Sequence, residues 1–503
     1  MKKEIRFYLV WTLMITNLFY QEYWGLNALI VAAFTSLLFG YRYFFHKAKE
    51  TPPTRWQTFH WLLGAVIWMT TATAVFLGAG GFSIFLYLVS LSYFISLQDR
   101  TYISVPLGFA QTVQSFATGM MRIFKDRIPK SDEPVNARRN KNMRQLVLFS
   151  SGLFICILFL KLYQLADKNF YELTAFLNLE WISWGFIASY LIVTWTFYGL
   201  YFYKSEQQIT SAEVSLKNEI DSSYSDRIQE YVGVENENRF ALIILSVLCA
   251  MLVLLLALDI KFMLTEFGLQ RPVSAYSETV HQGVNALIFS LVLVMILISY
   301  LFRGSLNFNP SKTVKIIGTW WLILNCILVI TTGFKNYDYI LNFGLTYKRL
   351  GVSLYLFLCG IGLVFSVYKI HYAKSIWFLL RNTILSFVAC FALVSLFNWN
   401  SIIAKYNLSH LKTERLDLEY LYELGPDTYP YLLNYHIKNN ISKTALFQDL
   451  VASICESRDQ LQAQLSSATW RSYNVRDHKL YDQLMSYQFT GNPEATHSIV
   501  ASH

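Results

Sequence analysis

The chain has 503 residues, of which 54% are hydrophobic and only 15% charged, and its formal net charge is +9. Soluble proteins carry about a quarter charged residues, and the mean hydropathy here is +0.34. These values exclude a disordered chain, a small disulfide scaffold and an ordinary soluble enzyme, and they point to an all-α integral membrane protein with many spans.

A helix needs about 20 mostly apolar residues to cross the hydrocarbon core. Taken in chain order, eleven segments approach that length: 6–20, 25–41, 58–78, 82–98, 145–166, 181–203, 240–262, 283–302, 313–334, 351–370 and 375–397. The first two flank Gln21-Glu22-Tyr23-Trp24 and read as a tight helical hairpin. A signal peptide is the competing reading, with Lys2, Lys3 and Arg6 as its basic start. No small-residue cleavage site follows Tyr20, and a second apolar run begins at once.

Lysine and arginine set the orientation, because short loops rich in them stay cytoplasmic. With the N-terminus inside, the inner segments hold 25 basic residues and the outer loops hold 5. The tail after residue 397 has 9 basic and 11 acidic residues, so the positive charge belongs to the membrane part. It is a topology signal and calls for no nucleic acid. Residues 101–121 are moderately apolar. Counted as a span they would move the basic stretch Arg122–Arg144 outside, so they read as an amphipathic helix on the inner surface, starting near Pro106.

The resulting organisation has five parts. Residues 1–123 carry spans one to four and the interfacial helix, and 124–144 form a basic cytoplasmic linker. Residues 145–397 carry spans five to eleven with a net acidic cytoplasmic loop at 204–239, where Val214, Ile220 and Ile228 give a weak helical stripe. Residues 398–490 form a soluble helical tail on the outer, periplasmic face, and 491–503 a disordered end. Within the tail, Leu416, Leu418, Tyr420, Leu421 and Leu424 predict one helix ended by Gly425-Pro426. A second is expected over 444–465 and a short third over 481–487.

Five of the six cysteines fall inside spans, where a thiol packs as a small apolar group. No cysteine or histidine spacing suggests a metal, and no phosphate loop, nucleophile elbow or dinucleotide fingerprint occurs. No catalytic residue and no cofactor is expected, and the balance leans away from an enzyme.

Polar density near the outer membrane face is the useful clue, because a charge in the bilayer needs a reason. Asp259 and Lys261 end the seventh span. Tyr276, Glu278 and His281 lead into the eighth. The segment after span nine, read as an outer loop, offers Lys335, Asn336, Tyr337, Asp338, Tyr339, Tyr347, Lys348 and Arg349. Tyr276, Glu278, His281, Tyr339, Lys348 and Arg349 are therefore the candidate ligand-binding cluster, suited to an anionic or sugar-like molecule. The competing reading is an aromatic belt with headgroup anchors, with Asp259, Lys261 and Arg381 snorkelling. Asn325 and Asn285 fit interhelical hydrogen bonds.

The runs YSETVHQGVNALIFSLVLVMILISYLFRGSLNF (276–308), NYDYILNFGLTYKRLGV (336–352) and IAKYNLSH (403–410), with DLEYLYELGPDTYPYLL (417–433) and TWRSYNVRD (469–477) in the tail, resemble a family of bacterial multi-pass membrane proteins. It is the domain-of-unknown-function family 4173, related to the 4153 family, in a branch common among Bacteroidota. The resemblance implies many spans followed by a helical tail that opens with Tyr406, Asn407 and Leu408. It implies no catalytic residue. Three functions stay open: an inner-membrane sensor or scaffold meeting a partner at 204–239 or at the tail, a transporter or flippase of an envelope component, and a transferase acting on lipid-linked sugars through Glu22, Glu266, Glu278, His281 and Arg349.

Overall fold

The computed structural model describes residues 2–46, 52–78, 80–99, 103–125, 183–219, 234–265, 289–302, 306, 311–439 and 445–487, with scattered positions between 152 and 174. The expected linker 124–144, most of segment 145–166 and the end 491–503 lie outside the described residues. Among the described residues every regular element is a helix, and one isolated bridge joins Glu219 to Lys374.

The helices are α1 (Lys2–Phe19), α2 (Leu26–Tyr41), α3 (Arg55–Leu77), α4 (Gly81–Ser96), α5 (Val105–Lys125), α6 (Trp184–Thr196), α7 (Gln207–Ser215) and α8 (Val234–Thr265). They continue as α9 (Phe289–Leu301), α10 (Lys312–Phe343), α11 (Tyr347–His371) and α12 (Ile376–Val394). The tail adds α13 (Trp399–His410), α14 (Leu418–Glu423), α15 (Tyr429–Lys438), α16 (Ala445–Ser467) and α17 (Val475–Met485). Among the described residues seven helices are long and apolar enough to cross a membrane: α2, α3, α4, α8, α10, α11 and α12. Helices α6 and α9 are apolar but shorter, and α1 carries Lys2, Lys3, Glu4 and Arg6 in its first turns. The chain is an all-α membrane helix bundle with a small C-terminal helical domain.

The chain divides into two compact units, residues 1–21 with 113–204 and residues 22–112 with 205–503. In the smaller unit α1 packs on α6, and Tyr8 and Trp11 bury against Tyr201 of the short helix Tyr198–Tyr201. Gly199 lies so close to the C-terminal half of α5 that a Cβ there would sit 1.9 Å from the Ser115 carbonyl oxygen. Small residues let helices approach in this way.

In the larger unit, α2, α3 and α4 close around Trp68, Phe39, Phe94 and Tyr87. A second core of Leu, Ile and Val joins α8, α9, α10 and α11. The tail has its own core of Leu421, Leu432, Leu433, Phe447, Ile454 and Leu484, and it includes Ile340 and Leu345 from the α10–α11 corner. The tail is thus folded around the end of a spanning helix. Its helices outnumber the three expected: α13 and α15 are additional, and the helix expected over 481–487 begins at Val475.

Four sequence expectations change. The segment after residue 334 is helix as far as Phe343, so the turn is only 344–346. Its buried polar residues lie on two stripes of α10, Asn325, Thr332 and Asn336 on one and Thr331, Asp338 and Asn342 on the other. Asp259 does not snorkel: it is buried, accepts from Thr331 Oγ1 at 3.2 Å and pairs with Lys335. Arg381 does not snorkel either, and is buried against Glu213. Of the stripe expected on Val214, Ile220 and Ile228, Val214 is 66% exposed while its neighbour Glu213 is buried, and Ile220 and Ile228 lie outside the described residues.

Helix α5 begins one residue before Pro106, as proline at a first turn favours. After Val105 its buried positions are small or polar: Gly108 faces Ser96, Gln111 reaches Thr210 and Thr112 donates to the Ser92 carbonyl. Its exposed positions include Phe109, Val113 and Met121.

Candidate functional site

In the larger unit the corners 22–25, 78–80, 344–346 and 395–398 share one end with the tail. Tyr473 accepts from Leu26 N, the Arg476 stem lies over Gly78, and Asn407 brackets Leu345, accepting from its N–H at 2.6 Å and donating to its carbonyl at 3.0 Å. A Cβ on Gly344, whose φ is +81°, would meet Asn407 Oδ1 at 2.6 Å. The Tyr-Asn-Leu opening of the tail is therefore a clamp on the α10–α11 corner.

Beneath the tail is a polar cleft of about 420 Å³, walled by the α3–α4 corner, the α12–α13 corner and α17. Asp427 stands at its centre. Gly425, with φ +92°, and Pro426 turn the chain out of α14 into the short helical turn that presents it. Its side chain is 3% exposed. Arg476, in the first turn of α17, meets it with two parallel bonds, Nε to Oδ1 at 2.8 Å and Nη2 to Oδ2 at 2.6 Å. Asn398, the N-cap of α13, donates to Oδ1 at 2.9 Å. Asn400 donates to the Leu424 carbonyl at 2.8 Å and accepts from Tyr347 Oη at 2.6 Å. The hydrogen bonds to Asp427 push Arg476 further above its already high value, so it stays a cation. Both carboxylate oxygens of Asp427 are thus held by donors. Lys479 also lines it and makes no ion pair among the described residues.

A second carboxylate is fixed close by. Glu22 is 3% exposed and pairs with Arg471 at 2.7 Å. It also accepts from Thr469 Oγ1 at 2.7 Å and from Ser472 Oγ. Burial raises its pKa, but the hydrogen bonds from Ser472 and Thr469 and the Arg471 charge outweigh that, and the carboxyl lies below its usual range. Glu22 is a fastener between the α1–α2 corner and the tail, and all its acceptors are engaged.

Of the six residues expected to form an outer cluster, Tyr276, Glu278 and His281 lie outside the described residues, as does Glu266. Tyr339 and Arg349 meet: the guanidinium lies 4.0 Å from the ring centroid. Arg349 also donates to the Phe343 and Gly344 carbonyls, capping the C-terminal end of α10 as a cation there favours. Lys348 is exposed. Asp427, Arg476 and Lys479 are absent from the expected cluster. Their signal lay in the two tail motifs, GPDTY and NVRD, which the fold brings together across 49 residues of chain.

Residues 33–435 match the family described as Domain of unknown function (DUF4153), about four-fifths of the chain. The chain belongs to this family. The sequence resemblance named family 4173 with 4153 as its relative; the match found is to 4153. The match ends at the last turn of α15, so it contains Asp427 but not Arg476. No curated protein and no solved structure matches the chain.

Proposed function

We propose that this DUF4153 member is a bacterial inner-membrane sensor or scaffold, with its N-terminus in the cytoplasm, its tail in the periplasm and its ligand site in the cleft beneath the tail. The carrying observation is that cleft: saturated ionic clasps hold its walls, while Lys479 is left facing the space. Rigid walls with a few convergent polar groups are what a binding pocket needs. Partners at the tail or at 204–239 would read the occupied state, and Tyr276, Glu278 and His281 stay candidates from sequence for the same face. The transferase reading loses Glu22 and Arg349, which are engaged in structural bonds. The test is co-purification in mild detergent, comparing the native chain with Asp427→Asn. Recovery of a defined partner or ligand that the variant loses is the expected result. Identical recovery from both removes the reading.

A transporter is the second reading, favoured by the buried polar stripes of α10 and its Asp259–Lys335 pair. Solute uptake into proteoliposomes that disappears in Asn336→Leu would support it, and uptake indistinguishable from empty vesicles would end it.

A further inference from the structure

The polar cleft continues into a groove. On the outward surface of α3, Leu62, Val66, Met69 and Thr73 line an apolar channel of about 340 Å³. They recur at i, i+4, i+7 and i+11, one face of a helix extending about 16 Å at 1.5 Å per residue. The threonines in this surface do not break its apolar character. Thr70 and Thr73 donate back to the Val66 and Met69 carbonyls at 2.8 and 2.9 Å, so their hydroxyls are satisfied within the helix. The groove's last α3 residue is Thr73, and the cleft's first is Ala74. Leu396, just past the end of α12, borders both.

An apolar track therefore runs along a spanning helix and opens, at that helix's end, into a polar chamber. The charged groups of the chamber are Asp427, Arg476 and Lys479, a net of one positive charge. Arg476 commits Nε and Nη2 to Asp427, and its Nη1 makes no hydrogen bond among the described residues. Lys479 supplies a second cationic donor to the same space. We propose that groove and cleft are the two halves of one site for an anionic phospholipid. The acyl chain lies along α3 past Leu396, and the headgroup phosphate meets Lys479 and Arg476. This rests on the reading of the cleft as a ligand site and names its ligand.

The test uses the full chain purified in a neutral detergent. Thermal unfolding and native mass spectrometry are read with three probes: phosphatidylglycerol, phosphatidylcholine and free glycerol phosphate. Phosphatidylglycerol is expected to remain bound and to raise the unfolding midpoint above phosphatidylcholine. Lys479→Glu should weaken its retention about tenfold, and Leu396→Trp, which fills the junction, should abolish it. Both variants should unfold as the native chain does without lipid, because Lys479 is exposed and Leu396 is only half-buried. Equal retention of the two lipids, or retention unchanged by Lys479→Glu, overturns the inference. Equal stabilisation by glycerol phosphate, unaffected by Leu396→Trp, overturns the lipid while leaving the cleft as a site for a soluble anion. Failure of all three probes, with no ligand lost in Asp427→Asn, takes the cleft reading down as well.

Discussion

At each end of the larger unit an arginine pairs with a buried carboxylate, but the two ends use the pair differently. At the tail end the arginines belong to the C-terminal domain, Arg476 in α17 and Arg471 in the short turn before it, and their carboxylates sit in chain turns: Arg476 on Asp427 and Arg471 on Glu22. Both arginines stay partly exposed, at 34% and 24% of their side chains, and a cleft remains beside them. At the opposite end the arginine belongs to a spanning helix. Arg381 of α12 is 6% exposed, and Glu213, brought down by α7, is 4% exposed. Ser104 donates to Glu213 at 2.9 Å, and Arg381 also donates to Asn218 and to the Glu213 carbonyl. Burying charges is expensive, and a matched pair does little more than offset its own desolvation, so its main effect is to fix position. The closed end fixes a loop against a helix. The open end fixes walls and leaves a solvent-reachable cation between them.

The contrast sets an order of effects. Removing one partner at the closed end should be worst: Glu213→Leu leaves Arg381 buried without its counter-charge and should cost about 3–5 kcal/mol. Arg381→Met with Glu213→Leu should recover most of that, as read by thermal unfolding in detergent. A double variant no better than the single one would break the comparison. At the open end Asp427→Asn should cost less, about 1.5–3 kcal/mol, because Arg476 can turn to water. Limited proteolysis should then cut the tail before the spans. Gly344→Ala tests the Asn407 clamp without touching a charge. A positive φ disfavours a Cβ by roughly 1–2 kcal/mol, and the clash with Asn407 adds to it, so the tail should loosen while the closed end keeps its stability.

The smallest effect is a pH dependence centred on the tail and its fastening. His436 is buried, bonds through Nδ1 to the Leu432 carbonyl and stacks on Phe447. Burial, only partly opposed by that bond, lowers its pKa. The unfolded chain therefore takes up a proton that the folded tail refuses as pH falls below about 6.5, and stability declines from there to the folded value. Glu22 acts in the same direction at lower pH. Its folded pKa is depressed, so its contribution is complete above about 4.3 and is lost as pH falls through the folded value. Unfolding midpoints between pH 7.5 and 5 should fall for the native chain and flatten in His436→Phe.

The bundle was legible because hydropathy reports lengths of desolvated helix directly: α3, α4, α8, α11 and α12 stand close to the segments expected. Lysine and arginine placed the corners at 22–25, 80–82 and 397–398 on one side, and in the larger unit these gather under the tail. The stretch 335–343 was misread as a loop because Lys335, Asn336, Asp338 and Asn342 lower its hydropathy. Lys335, Asp338 and Asn342 share one helical face and Asn336 lies on another, a pattern visible only as spacing, and burying them needs partners such as Arg349 and Arg415 that arrive from elsewhere in the chain. The clasps were illegible for the same reason. Glu213 and Arg381 are 168 residues apart, and neither carries a local sign of its partner.

The contact between Glu22 and Thr469 spans 447 residues of sequence. At roughly 5–20 residues per second, a ribosome needs about 20–90 s to make the second half of that contact after the first. Throughout that interval the first corner of the bundle carries an unanswered carboxylate, and α2 lacks the Tyr473 carbonyl that receives the N–H of its first residue. The fastening of the N-terminal hairpin is thus a late event in biogenesis. A chain stopped even a few dozen residues short would keep its spans and leave that corner permanently open.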